Sequence, residues 1–410
     1  MRILFLSQLL PWPLDAGPKI RAFYVLRHLV AAGHEVTLLC RARPDDRPEH
    51  VRTLERWCRS VVTVPIARSR WRDVRDGMRS AVSREPFLIR RDRSPAMARA
   101  VARLTHERTF DALHADQLWM APAASNTTVG FTVLDQHNAV FKVPDRLAAH
   151  SRNPIVRGLL RAEARKLAGF ERAVVDRFTR TVWVTREDRD AVCGPGAGAD
   201  RHPLIPIAVD PSARPALRRP APFRVTFLGG LHWPPNAEGL RWFVDRVWPR
   251  VAAAVPGAVL TVIGKGAPRW LRAATAPGRP RAATAPGRLS AATAPRIEVT
   301  GYVADPTRHL EETAACIVPL LSGAGMRVKI LDAWSHAIPV VSTTLGAEGL
   351  AAEDGENLRL ADDEVTFADR LIAVLRDRAL ADRIAAGGRA TVEARYDWRR
   401  TYGAWDQVYR

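Results

Sequence analysis

Lysine is almost missing from this chain: Lys19, Lys142, Lys166, Lys265 and Lys329 are the five among 62 basic residues, and the rest are arginine. Cysteine is scarce too. Cys40, Cys58, Cys193 and Cys316 stand far apart, with no C-x-x-C pair and no histidine cluster beside them, which argues against a zinc site or a disulfide framework and suits a reducing compartment. No apolar run reaches the roughly 20 residues that span a bilayer. The opening MRILFLSQLLPWP is interrupted by Ser7, Gln8 and Pro11 and lacks a small-residue cleavage site, so it reads as a buried strand rather than a signal peptide. A cytoplasmic protein is expected. There is no G-x-S-x-G elbow, H-E-x-x-H pair, Walker loop, helix-turn-helix or RNP pattern. Serine hydrolysis and zinc proteolysis lose their support, and nucleic acid is left with the net charge of +19 as its only argument. Much of that charge reflects a general preference for arginine and alanine, so no nucleic-acid partner is expected. Peripheral contact with an anionic membrane, at its inner face, remains compatible with it.

What is present suffices for two cores. The chain has 410 residues, 47% of them hydrophobic. Ile3–Ser7 is a short apolar run, followed by a Pro/Gly loop and then Ile20, Phe23, Tyr24 and Val30 at helical spacing, with Pro18 suited to a first helical turn and Gly33 to the end. A second apolar run at Val36–Cys40 completes a β-α-β unit. Continuous rather than alternating apolar strands imply a parallel sheet covered on both faces. Further strands are expected at 61–64, 112–115, 131–134 and 181–185, with a long helix near 155–178. Prolines crowd 203–222 and mark a linker. A second series then begins, with strands at 223–228, 259–263, 297–300, 316–319 and 340–342, and helices capped by Asn236, near 306–315, over 328–336 and over 366–386. The expected architecture is α/β, with two doubly wound Rossmann-like domains facing a cleft. The first covers 1–205, a linker 206–222, the second 223–390, and a closing helix at 391–410 returns to the first. A nine-residue repeat of small residues and proline, RAATAPGRP, RAATAPGRL and a truncated SAATAP at 272–295, offers no apolar face and reads as an exposed insertion.

SGAGMRVKILDAW, Ser322 to Trp334, follows the strand at 316–319 directly. Gly323 and Gly325 permit close backbone approach, and a helix starting near Met326 turns unpaired N–H groups and a positive dipole end towards an anion. Arg327 and Lys329 add two cations, an arrangement suited to a diphosphate. Asp332 could hold ribose hydroxyls, as a carboxylate does in dinucleotide folds. An ordinary helix with basic residues on its wet side accounts for the pattern equally well. Gly229-Gly230 in FLGGLHWPPN can also turn amides towards a phosphate, although a tight turn needs glycine for its own sake. Gly17 in DAGPK occupies the corresponding place in the first half. His137, in LDQHN after a strand, sits where ligands bind in such sheets and is either a substrate contact or a structural histidine. Asp45-Asp46 and Asp362-Asp363 read as solvated loops, so no metal site is expected.

Together these stretches resemble the retaining, nucleotide-sugar-dependent glycosyltransferases of group 1, or family 4, which have the GT-B fold. GHEVTLL at 33–39, ERAVVDRFTRTVWVTREDRD at 171–190, PIAVD at 206–210, GAGMRVKILDAWSHAIPVVST with GAEGL at 323–350, and WRRTYGAW at 398–405 carry the likeness. GYV, with Tyr302 and Val303, resembles the turn whose backbone meets the base in that family. The family's paired glutamates, eight positions apart, are replaced here by Ala324 and Asp332, and its Arg and Lys after the first strand of the second domain give way to Gly230 and Asn236. The resemblance implies transfer from a nucleoside diphosphate sugar to an acceptor hydroxyl with retained anomeric configuration. The backbone of Gly323, Ala324, Gly325 and Met326 would stand in for the lost carboxylate, Arg327 and Lys329 would carry the leaving charge, and His137 would orient the sugar. No cofactor and no metal are implied. A nucleotide-sugar epimerase, a phosphorylase or a catalytically silent sugar-binding protein on the same fold are the alternatives.

Overall fold

The computed structural model describes all residues except 67–68, 126, 215–220, 222 and 276–295. Contacts divide the chain into two units. The first comprises Met1–Val209, Ala324–Met326 and Trp398–Arg410, and the second Asp210–Gly323 and Arg327–Asp397. Residues 276–295, most of the repeat, lie outside the described residues. Its first four, Arg272 to Thr275, are the end of a helix, Arg269–Thr275, rather than loop.

In the first unit, β1 (Arg2–Ser7), β2 (Glu35–Ala42), β3 (Ser60–Pro65), β4 (Ala112–Asp116), β5 (Thr132–Gln136) and β6 (Arg180–Trp183) form one parallel sheet in the order β3-β2-β1-β4-β5-β6. In the second, β7 (Arg224–Leu228), β8 (Val259–Ile263), β9 (Arg296–Gly301), β10 (Ala315–Val318), β11 (Val340–Ser342) and β12 (Arg359–Leu360) repeat that order as β12-β11-β10-β7-β8-β9. Continuous apolar strands explain both: Ile3, Leu4, Phe5 and Leu6 are fully buried, as are Leu260 and Val262, and only a sheet covered on two faces can hide every residue of a strand. The order reverses between β1 and β4 in one unit and between β7 and β10 in the other. Loops leaving adjacent strands in opposite directions open a crevice at these points, the usual place for ligands in such sheets.

Local chemistry places most helix boundaries. Pro18 stands in the first turn of helix Gly17–Ala31, and Gly33 takes φ +83° after it. The long stretch expected as one helix over 366–386 is two, Glu364–Arg376 and Arg378–Arg395, because the side chain of Asp377 accepts from the Leu380 amide and starts the second. The helix expected over 328–336 runs Val328–Ser335, with Arg327 in the capping position, so the start near Met326 that the glycine-loop reading used lies two residues too early. Asn236 does not cap its helix, which runs Pro234–Trp242 from Trp233; its side chain is used elsewhere. Among the described residues no helix is long and apolar enough to cross a membrane, and all four cysteines are free thiols.

Candidate functional site

In the second unit, the loops after β7 and β10 flank the crevice and bring several expected residues together. The Lys329 ammonium donates to Asn236 Oδ1 at 2.8 Å and lies 4.6 Å from the centre of the Phe227 ring. Asn236 Nδ2 in turn donates to the Gly230 carbonyl at 2.9 Å. A Cβ on Gly229 would fall 2.7 Å from Lys329 Nζ and 2.9 Å from Asn236 Nδ2, so this position must be glycine for the two polar side chains to pass. Gly323 takes φ +121°, and a Cβ there would come within 3.0 Å of Arg327 Nη2. Arg327 is 8% exposed. Burial and the neighbouring Arg327 charge push the Lys329 pKa down to about 7. A lysine held beside an arginine in a glycine-lined crevice, and hard to charge alone, is an environment that an anion would relieve.

Two other expected donor contacts lie in this unit. Asp332, on helix Val328–Ser335, stands 3.4 Å from Arg214, and burial raises its pKa against the pull of that arginine. Tyr302 is exposed after β9, with Val303 beside it, and Lys265 sits 4.2 Å over its ring. Sequence reasoning missed Lys265 and misassigned Asn236. The spacing of Asn236 before an apolar helix looked like a cap, and only packing shows its partner to be Lys329.

In the first unit the crossover between β1 and β4 lies above a buried charge cluster. Arg21, fully buried on helix Gly17–Ala31, donates to both oxygens of Asp135, with Nη2 to Oδ1 at 2.6 Å, and through Nη1 to the carbonyls of Ile205 and Pro206. Burial opposes the Asp135 charge, but the Arg21 guanidinium overcomes it and holds the carboxyl well below the usual range. His137 follows β5 and is 8% exposed; its Nε2 lies 2.8 Å from Asp116 Oδ1 and 3.7 Å from Asp135 Oδ2. The angles make these charge contacts rather than directed hydrogen bonds. Burial disfavours the imidazolium, yet the two carboxylates outweigh it and raise the His137 pKa. His114 beneath them is pushed down to about 4 by burial and meets Tyr409 Oη through Nδ1 at 2.6 Å. His114, Asp116 and Asp135 each offer an atom within 4.8 Å of the others, a spacing that could hold a cation; Arg21 and His137 already supply positive charge there.

The His137 loop is anchored from below. Glu171, fully buried, accepts from the amides of Val140 and Phe141 at 2.9 and 3.0 Å and from Gln136 Nε2 at 3.1 Å. Gln117, at the end of β4, takes φ +71°, and its Nε2 is buried with no hydrogen-bond partner among the described residues. A strained, unsatisfied amide at a strand's carboxyl end is a candidate substrate donor. Gly17 opens its helix, where Lys19 pairs with Asp15 at 3.0 Å. Ala324, Gly325 and Met326 cluster with this unit: a Cβ on Gly325 (φ +76°) would approach the His137 carbonyl to 2.7 Å, and the Ile207 amide points at the Met326 sulfur at 3.3 Å.

The second unit's sequence and the chain's fold both have relatives among known proteins. Residues 222–377 match the family described as "Glycosyl transferases group 1". A 44.6 kDa protein of the Klebsiella pneumoniae cps region, itself uncharacterised, is 29% identical over 185 residues, 44% of this chain and 44% of that protein. The phosphatidyl-myo-inositol mannosyltransferase of Mycobacterium leprae is 27% identical over 178 residues, 42% of each chain. The matched stretch thus spans under half the length of either relative. Among solved structures, Anabaena HepE in complex with UDP-glucose superposes with a TM-score of 0.66 at 14% identity, covering 100% of this chain and 99% of that one. The fold is that of GT-B glycosyltransferases.

Proposed function

We propose that this protein is a group 1 glycosyltransferase that moves a sugar from a nucleoside diphosphate donor to an acceptor hydroxyl. The observation that carries the reading is the convergence of Gly229, Asn236, Gly323, Arg327 and Lys329 at the β7/β10 crossover. The family match over that same unit and a nucleotide sugar bound by a protein of the same fold support it.

The step needs little covalent chemistry from the protein. The acceptor oxygen bonds to the anomeric carbon, the bond from that carbon to the phosphate oxygen breaks, and the acceptor proton passes to the departing diphosphate. Arg327, Lys329 and amides of the 323–328 segment stabilise the charge that develops on the leaving group. Asp332 takes the ribose hydroxyls, sharing its carboxylate with Arg214, and the backbone of Tyr302 and Val303 meets the base. His137, whose pKa Asp116 and Asp135 raise against burial, serves a sugar hydroxyl. Among the described residues the buried carboxylates Asp116 and Asp135 are engaged by His137 and Arg21 rather than free to act as acid and nucleophile, which favours attack from the leaving-group side and retention, the family 4 outcome. Arginine and lysine in place of an ion make the reaction metal-independent in this reading.

A screen of nucleotide sugars by thermal shift, followed by product analysis with a hydroxyl acceptor, tests the proposal. The native chain should gain about 2.7 kcal/mol at a donor concentration 100 times its Kd. Arg327→Ala should lose that shift and lower turnover by roughly one to three orders of magnitude, at about 1.4 kcal/mol per tenfold. No shift with any nucleoside diphosphate would refute the donor assignment. Sugar interconversion without an acceptor would instead establish an epimerase.

A further inference from the structure

Helix Arg70–Ala81 of the first unit is folded with its polar side inward. Asp76 and Ser80 are buried, whereas Trp71 is 85% exposed and Met78 63%, and Val74 is also exposed. The inward side is fixed by polar contacts. Asp76 lies 3.6 Å from both Arg72 and Arg75, Ser80 Oγ donates to the Glu85 carbonyl at 2.8 Å, and Lys166 Nζ donates to the Ser80 carbonyl. The exposed apolar residues recur at i, i+3 and i+7, and Val82, just beyond the helix and 89% exposed, continues the series at i+11. At 3.6 residues per turn these four fall within about 80° of arc, with Arg75 and Arg79 along one border and Arg70 along the other. A second exposed cluster, Ile155, Val156 and Leu159, opens helix Pro154–Val175 beside Arg152, Arg157 and Arg161. That helix also supplies Lys166, and its Glu163 accepts from the Phe87 and Leu88 amides at 3.0 and 2.9 Å, so both clusters sit on one packed assembly.

An amphipathic helix normally turns its apolar stripe to the core. This one turns it to solvent and edges it with guanidinium groups, which argues for an outside phase that is apolar at depth and anionic at its surface. We propose that this face docks on an anionic lipid bilayer, with Trp71, Val74, Met78 and Val82 entering the headgroup boundary and Arg70, Arg75 and Arg79 meeting lipid phosphates. The fit is one of charge and depth together: tryptophan favours the interface, and arginine on the flanks reads the negative surface. A narrow stripe bordered on both sides by like charges is poorly suited to a second copy of the same chain, whose matching face would be equally positive. The proposal does not depend on the transfer reading, since vesicle binding needs no donor.

Flotation of the full chain with phosphatidylcholine vesicles, with and without phosphatidylglycerol, tests it. Binding is expected only with phosphatidylglycerol, and should weaken as salt rises. Trp71→Gln with Met78→Gln should reduce it roughly tenfold or more, and Arg70→Gln with Arg75→Gln and Arg79→Gln should remove most of its salt dependence. Both variants alter exposed side chains, so an unchanged thermal midpoint shows that the fold survives. Failure of the native chain to bind phosphatidylglycerol vesicles at low salt would overturn the proposal. So would equal binding by both variants, or an oligomer that the Trp71/Met78 variant converts to monomer.

Discussion

Lys329 pairs with a neutral amide and has an arginine for its nearest charge, so in the free protein it titrates near 7 rather than near 10.5. A bound diphosphate restores the charge, and binding must then take up a proton. Affinity for UDP is therefore expected to be level well below pH 7 and to weaken above it by at most about tenfold per pH unit. Calorimetry in buffers of different ionisation heat would read the proton directly. Lys329→Arg, charged throughout, should bind without the slope; an unaltered slope in that variant would show that another group titrates. His137 carries the opposite sign. Its pKa is raised on folding, so the stability it contributes is complete below the ordinary value of 6.5 and is lost as pH rises through the folded one. His137→Gln should flatten that part of the urea midpoint against pH. Arg327, Lys329 and His137 stood out in the sequence because each follows a strand end in a glycine-rich or polar loop. The titration of Lys329 did not, since it comes from Asn236 and Phe227 folding onto it.

Helix Gly17–Ala31 and strand β5 were each legible from apolar spacing, but the bond between them was not. Arg21 and Asp135 are 114 residues apart, and no local spacing links them. In the fold Arg21 is fully buried. Asp135→Ala would leave that guanidinium without its partner and should cost about 3–5 kcal/mol, measurable as a fall in the urea midpoint. A loss under about 1 kcal/mol would mean that Ile205 and Pro206 carbonyls suffice for Arg21. Glu171 is a similar case. The stretch 171–190 resembles a family segment, whereas the work of the carboxylate, holding the Val140 and Phe141 amides below His137, emerges only from the loop's path. Glu171→Ala leaves three donors unmet, the Val140 and Phe141 amides and Gln136 Nε2, at about 1–3 kcal/mol for each that stays buried. Its sharper signature should be a fall in turnover that Glu171→Gln, able to accept one of those bonds, partly rescues.

The two units repeat one strand order, and the tandem repeat falls between β8 and β9 without altering it. Removing residues 281–289, one full repeat beyond helix Arg269–Thr275, should shift the thermal midpoint by no more than about 1 °C, because loop length enters closure entropy only logarithmically. A large loss of soluble protein would show that the repeat packs. Turnover should also survive excess EDTA with the true donor and acceptor. Full loss on chelation, restored by one divalent ion, would redirect attention to His114, Asp116 and Asp135, whose atoms are spaced to hold a cation.

The succession of strands and helices, the glycine loops at their ends and the cations beside them are legible along the chain, because each is written in neighbours a few residues apart. What those residues face depends on the packing of distant segments. That packing turns Asn236 from a cap into the partner of Lys329, buries Arg21 against Asp135, sets Glu171 under His137, and leaves Trp71, Val74 and Met78 facing outward from helix Arg70–Ala81. Spacing along a chain reports that a stripe exists; the direction it points depends on which distant elements arrive to cover it, and for this helix they cover the polar side.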